Sequence, residues 1–261
     1  LDLHGQQMLL NAGELAQREV ILPQLPGRTD VAGALLILPP ESRQDLLALR
    51  ASGFPFVVVD PRTPLPRDVA AVSAAHFAGA RALTAHLVGL GHRRIGVIGG
   101  PADWLSSDAR LAGHSASLAD VGVLPAPALL RSVEATTEDG YRAAGELLEL
   151  RPRPTALVCF NDKAAVGALR AAAERGVRVP DDLSVVGFDD IDLSRATTPM
   201  LTTVRQPLQE MGRMAVSLLM RVLERHQLEA LHVELATELV VRGSTGPVPP
   251  ASQKAVRERH A

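Results

Sequence analysis

Gly91-His92-Arg93-Arg94-Ile95-Gly96-Val97-Ile98-Gly99-Gly100-Pro101 packs the end of one element, a whole second element and the start of a loop into a single stretch. Just upstream, Phe77, Ala80, Leu83, Leu87 and Leu90 fall on one face of a helix. Residues 95–98 form a short β-rich run, and Gly99-Gly100-Pro101 can only be a loop. A helix therefore feeds a buried strand through a tight turn, and the strand opens onto a glycine-rich loop. In open α/β sheets, ligands bind just past such strand ends.

The same arrangement recurs along the chain. Residues 56–59 are an apolar run ending at Asp60, 156–160 a strand ending at Asn161-Asp162, and 184–188 a strand ending at Asp189-Asp190. Helices are expected over 108–118, 137–150 and 163–175, the last stopped by Gly176. Pro207 opens a further helix whose stripe is Leu208, Met211, Ala215, Leu218 and Val222, and 239–241 is a last strand. From 244 to 261 the composition turns polar and proline-rich and reads as a tail. Alternation of this kind means βα units and parallel sheets, an α/β fold. The start of the chain fits less well. A helix over 6–18, a strand over 20–22 and a strand over 34–38 leave only residues 23–33, with two prolines and two glycines, for a crossover. A parallel crossover needs about a dozen residues or more, usually helical. The spacing predicts that native residues are missing before Gln6 and around position 27; the other reading is an antiparallel or irregular connection.

Bulk properties narrow the function. The chain has 261 residues, 46% hydrophobic and 21% charged, enough for one large domain or two smaller ones. A net charge of -2 lacks the basic footprint of a self-sufficient nucleic-acid binder. An aromatic content of 3% argues against a stacking surface for single strands. No run of about 18 apolar residues exists, so neither a transmembrane helix nor membrane association is expected. The first residues carry no signal-peptide pattern. Cys159 is the single cysteine, which excludes an internal disulfide and fits a reducing cytoplasm.

Parallel strands place their C-terminal ends on one edge, so Asp60, Asn161 and Asp189 are candidates to line one crevice. Asp and Asn are also preferred helix N-caps: Asp162 reads first as a cap, Asn161 and Asp189 first as ligand contacts. Arg110, with five donors in a fixed fork, would complete a ring of donors and acceptors suited to a polyhydroxyl ligand. On spacing alone it reads as a surface arginine. Trp104 is placed either over a sugar's apolar face or against the protein surface, and Phe160 in the same role or in the core. Met211 and Met214 read as core or partner contacts, and His92-Arg93-Arg94 as cations at a helix end. Nucleotide-loop, nucleophile-elbow and zinc-ligand patterns are absent from the sequence. No cofactor, metal or catalytic residue is therefore expected.

Taken together, several stretches resemble the effector-binding core of the lactose-repressor/galactose-repressor family of bacterial transcription regulators. They are residues 90–101, Arg110-Leu111-Ala112-Gly113, 160–167, 176–190, 199–207 and 239–244. The similarity covers roughly residues 31–245. It implies a periplasmic-binding-protein-like fold, two α/β lobes joined by three crossing segments with a small-molecule effector in the cleft between them. Those crossings are expected near Ser73, Val204 and Gln227. The first lobe is then 1–73 with 204–226 returning to it, the second 74–203 with 227–243 returning, and 244–261 a flexible tail. In such a fold the positions matching Asp60, Arg110, Asn161 and Asp189 face the cleft.

The resemblance further implies a cytoplasmic homodimer, a sugar or nucleoside-like effector, and operator DNA bound through a helix-turn-helix headpiece that these residues do not contain. Ligand would favour a closed form and so change the headpiece spacing, to the extent of its differential affinity for the two forms. The first strand and second helix of the first lobe are expected to be missing. Ala75-His76 stands where the family often has Asp-Asn, and Ala135 where it often has an aromatic residue. The rival functions are a periplasmic solute-binding protein of a sugar transporter, and an enzyme on a similar scaffold.

Overall fold

The computed structural model describes residues 22–66, 68–224 and 231–248. Strands and helices alternate: β1 (Ala34–Ile37), α1 (Arg43–Ala51), β2 (Phe56–Val59), β3 (Ala71–Ala74), α2 (His76–Gly89), β4 (Ile95–Gly99) and α3 (Leu105–Ala119). Then follow β5 (Leu130–Ser132), α4 (Thr137–Glu149), β6 (Ala156–Cys159), α5 (Asp162–Glu174), β7 (Ser184–Val186) and the short α6 (Leu193–Ala196). The chain ends with β8 (Thr203–Arg205), α7 (Leu208–Leu223), β9 (His232–Leu235) and β10 (Glu238–Val240). Among the described residues these make two four-stranded parallel sheets, β1-β2-β3-β9 and β5-β4-β6-β7, and an antiparallel β8–β10 pair.

Each sheet is covered on both faces, as the two-residue period of a strand requires. Phe56, Val58 and Ala71 pack with Leu46 and Leu49 of α1 and with Leu22 and Leu25; Val57, Val72 and Ala74 pack on the other face with Met211, Ala215 and Leu218 of α7. In the second sheet Ile95, Val158 and Val186 meet Ala80, Leu83 and Leu87 of α2, while Ile98, Leu157 and Val185 meet Leu147 of α4 and Ala168 of α5. Two of the three methionines of α7 belong to this core: Met211 is buried and Met214 packs against the same cluster.

Helices α4 and α5 approach closely because glycine faces backbone at their contact. A Cβ on Gly167 would lie 2.1 Å from the Thr137 carbonyl oxygen, and one on Gly140 2.4 Å from that of Ala164. Gly167→Val is expected to push the helices apart and destabilise the fold by about 1–3 kcal/mol. Urea unfolding checks this, and an unchanged midpoint would show that the contact yields freely.

Several expectations need correction. The helix over 6–18 and residues 20 and 21 of the first strand lie outside the described residues. Leu22 is not in a strand: it opens a 3-10 turn, Leu22–Gly27, containing Pro26. The path into β1 is thus irregular rather than a helical crossover. The third crossing, near Gln227, also falls outside the described residues. However, β9 pairs in parallel with β3, so the chain leaves the first sheet after Leu235 and not before His232. Residues 232–235 therefore belong with the first lobe, since their backbone completes that sheet.

The start of the expected tail is likewise bound. Ser244 is fully buried, donates to the Val185 carbonyl at 2.6 Å and accepts from the Thr202 amide at 2.8 Å. Residues 249–261 lie outside the described residues. His92 is no exposed cation. It is fully buried between Thr155, Ser184 and the Gly246 carbonyl, and burial lowers its pKa. Arg93 alone satisfies helix-end carbonyls, those of Val88 and His92.

Candidate functional site

The ends of β1, β2 and β7 share an unusual backbone. Leu38, Asp60, Asp189 and Asp190 have positive φ (45°, 49°, 112° and 56°). Asp tolerates the left-handed region better than most residues, but φ near 112° at Asp189 lies outside it. Such conformations cost of the order of 1–3 kcal/mol and cluster at ligand sites.

The side chains at these ends converge. The Asp60 carboxylate Oδ1 accepts from the Ala74 amide at 3.3 Å and pairs with Nε2 of His76, the first residue of α2, at 3.0 Å. His76 Nδ1 faces the Arg110 guanidinium, 3.4 Å from Nε and 3.3 Å from Nη2. Arginine only donates, so Nδ1 accepts and Nε2–H donates to Asp60. Arg110 Nη2 also donates to Asp189 Oδ1 at 3.5 Å, and Nη1 to the Phe160 carbonyl. The Arg110 guanidinium carbon lies 3.7 Å from the Phe188 ring centre and 4.5 Å from that of Phe160. Gln206 Nε2, just past β8, completes the chain with a 2.6 Å bond to Asp189 Oδ1. Burial lowers the Arg110 pKa, opposed by Asp189, Asp60 and Asp162. Burial raises that of Asp189, opposed by Arg110, Gln206 and His76. Each charge is held in a site that disfavours it alone.

The cap assignment at β6 is the reverse of that expected. Asn161 caps α5: its side-chain oxygen accepts from the Ala164 amide at 2.8 Å and its Nδ2 donates to the Ala135 carbonyl at 3.3 Å. Asp162 is the first helical residue and points inward. It accepts from Thr203 Oγ1 at 2.6 Å and from the Ile191 amide at 2.9 Å. Burial pushes its pKa up to about 7, with Asp189 and Asp190 adding to the rise against the two hydrogen bonds. Asp190 behaves oppositely. Burial works against its charge, but hydrogen bonds from Arg242, Arg205 and Ser194 prevail and hold its pKa down at about 2.

Trp104 caps the backbone of α3 and stands edge-on to Phe160, with ring centres 5.9 Å apart. The Arg62 guanidinium, from the loop after β2, lies 4.2 Å over the Trp104 ring, and the Arg62 carbonyl accepts from the Leu105 amide at 3.0 Å. The loop beyond the first sheet thus touches the helix of the second. Phe160 is buried, with its ring 2.6 Å from where a Gly100 Cβ would be, which explains the glycine there. The Arg110 side chain is 10% exposed, so the surface-arginine reading from spacing does not hold.

Asp60, Arg110 and Asp189 are therefore brought together. Phe160 lies against Arg110 and Trp104 against Phe160, and Asn161 sits one residue away with its oxygen engaged as a cap. Gln206, Phe188 and Arg62 were not among the sequence candidates, and His76 was noted only as a departure from a pattern. Gln206 obeys the rule that found Asp60: it is a polar residue at the end of a strand, but β8 has only three residues and gives no periodic signal.

Residues 84–245, more than half of the chain, match the family described as the Periplasmic binding protein-like domain. The chain superposes on a LacI family transcriptional regulator from Mycobacterium smegmatis with a TM-score of 0.84, 31% identity and coverage of 94% of this chain and 90% of that one. The chain belongs to the LacI family. A cellobiose complex of the transcriptional regulator CelR gives a TM-score of 0.85 at 32% identity, covering 93% of this chain and 75% of that one. An HTH-type transcriptional regulator from the aml 5' region of Streptomyces limosus, itself uncharacterized, is 41% identical over 207 residues, 76% of this chain. This LacI-family chain spans 56% of the length of that relative. Its two sheets and β8–β10 pair accord with the two-lobed periplasmic-binding-protein-like fold.

Proposed function

We propose that these residues are the effector-sensing part of a LacI-family transcription regulator. A small polyhydroxyl metabolite, of sugar or nucleoside type, seats between the lobes on Asp60, Arg110 and Asp189, with Asn161 at the cleft wall and Phe160 and Trp104 against its apolar face. The observation that carries this reading is a pair of buried atoms beside the network without hydrogen-bond partners among the described residues, Gln206 Oε1 and Ser107 Oγ. Native structures rarely leave such groups unsatisfied. A ligand hydroxyl supplies the donor that Gln206 Oε1 lacks, next to a carboxylate that accepts. The CelR structure holds a disaccharide, which supports a sugar class. Ligand bridging the two lobes favours their closed arrangement, and closure changes operator binding by a helix-turn-helix segment of the whole homodimeric protein. The chain works in the cytoplasm and turns nothing over.

A thermal-shift screen against sugars, sugar phosphates and nucleosides tests the assignment, because a cleft ligand raises the melting temperature by mass action. Asp189→Ala and Gln206→Ala are expected to abolish the shift, Asp189→Ala from a lower starting melting temperature because it leaves Arg110 without its partner. Undiminished shifts in both variants would remove the site from this cleft.

A further inference from the structure

The network at the strand ends has spent its donors and kept its acceptors. A guanidinium has five N–H groups. In Arg110, Nε and Nη2 serve His76 Nδ1, Nη2 also serves Asp189 Oδ1, and Nη1 serves the Phe160 carbonyl. That leaves a single N–H, on Nη1. His76 is engaged at both ring nitrogens, by Asp60 and by Arg110. Gln206 points its Nε2 at Asp189 Oδ1, which fixes the amide, since turning it over would set oxygen against carboxylate.

The carboxylates are engaged on one side only. Among the described residues, every hydrogen bond to their oxygens falls on Oδ1: from Ala74 and His76 to Asp60, and from Arg110 and Gln206 to Asp189. Oδ2 of each is unspent, and the two side chains keep 13% and 24% of their surface open to a solute. Gln206 Oε1 is a third acceptor, buried and without a partner among the described residues. The charges are unequal in the same sense. Asp189, Asp60 and Asp162 all bear on Arg110. Among the described residues Arg110 is the one guanidinium paired with Asp189, and Asp60 is paired with His76 alone. Arg205 and Arg242 are committed to Asp190, and Arg62 lies over the Trp104 ring. A carboxylate stripped of water gains more from a second cation than an exposed one does.

We infer that the solute held here carries a primary ammonium, and that the effector is an amino sugar rather than a neutral or phosphorylated one. This rests on the cleft reading above and names the chemistry of its ligand. An ammonium brings three donors, a positive charge and no acceptor. The site offers three open acceptors, two of them on carboxylates. The remaining N–H groups of Arg110 and Asn161 are left for the ring hydroxyls. A phosphate in the same place would face Asp60 and Asp189.

Calorimetry on the full chain tests this at about pH 6.5, where an amine of ordinary basicity is charged. The probes are D-glucosamine and D-galactosamine, their N-acetyl forms, the parent hexoses and glucose 6-phosphate. At least one amino sugar is expected to bind about tenfold more tightly than its parent, the margin of a charge-assisted over a neutral hydrogen bond. N-acetylation keeps the nitrogen, removes the charge and should erase the preference. Asp60→Asn keeps the Oδ1 acceptor for Ala74 and His76 and should lower the ratio of amino-sugar to parent affinity several-fold. A merely structural role would weaken both sugars alike and leave that ratio unchanged. A parent hexose or glucose 6-phosphate bound as tightly as the amino sugars overturns the proposal and leaves the cleft reading standing. So does an unchanged ratio in Asp60→Asn. Binding by none of the probes overturns both.

Discussion

Arg110→Met is expected to cost about 3–5 kcal/mol of folding stability at pH 7, the usual penalty for removing one partner of a buried ion pair. Methionine keeps much of the packing against Phe160 and Phe188, so the loss reports on charge. Without the guanidinium, Asp189 stays where burial already raises its pKa, now with no cation beside it. His76 Nδ1 loses the donors it accepts from, and the Phe160 carbonyl loses its bond to Nη1. The sign of the pH dependence follows. In the variant the folded pKa of Asp189 rises further above the unfolded value, so the folded state binds more protons. The deficit shrinks as pH falls through the raised folded pKa, because a protonated Asp189 needs no counter-ion. The double variant Arg110→Met/Asp189→Asn should recover much of the loss while remaining unable to bind effector. Urea unfolding at pH 7 and 4.5 decides the matter. A loss under about 1 kcal/mol at pH 7 would show that the pair is not effectively buried.

Asp162→Asn should act in the other direction. The folded pKa of Asp162 is about 7 against a reference of 3.8, so ionising it opposes folding. Its effect on stability is absent below the unfolded pKa and grows as pH rises between the two values. By pH 8 the penalty reaches as much as about 4 kcal/mol. Asparagine fills the same space, and its oxygen can accept from the Ile191 amide while its nitrogen donates to Thr203. The variant is expected to match the parent near pH 4 and to exceed it increasingly up to pH 8. Asp190 does not confuse the measurement. Its pKa is lowered to about 2, so its contribution is present above the unfolded value and fades only as pH falls toward 2. A constant difference between parent and variant from pH 5 to 8 would exclude this account.

The strands that carry the sheets were legible because they are buried on both faces and read as unbroken apolar runs: Phe56–Val59, Ile95–Gly99, Ala156–Cys159 and Ser184–Val186. The edge strand β1 and the crossing strand β10 were read as well, but β3, β5, β8 and β9 were not. β5 and β8 have three residues each and β9 four, too few for a periodic signal to stand above its surroundings. Helix α1 was missed although Ser42 and Asp45 form a capping box, because only Leu46 and Leu49 are buried along its nine residues. At the site, polar residues following a strand led to Asp60 and Asp189, which the fold brings into one hydrogen-bonded network. The same rule misjudged the pair at β6, where either residue suits a cap and only the direction of the chain decides that Asn161 takes the role and Asp162 turns inward. Arg110 required tertiary information: its helix spacing says nothing of the two aromatic rings between which it is held.

The clamp on Asp190 has a mechanical implication. Arg205 reaches it from β8 and Arg242 from just beyond β10, the two strands that run side by side between the sheets. Asp189 is the neighbouring residue, so a displacement there would be resisted through both strands at once. On the proposed reading, a solute that shifts that carboxylate by a fraction of an ångström pulls on a lever whose far arm is the neighbouring lobe, and sensing and signalling share a single stiff joint.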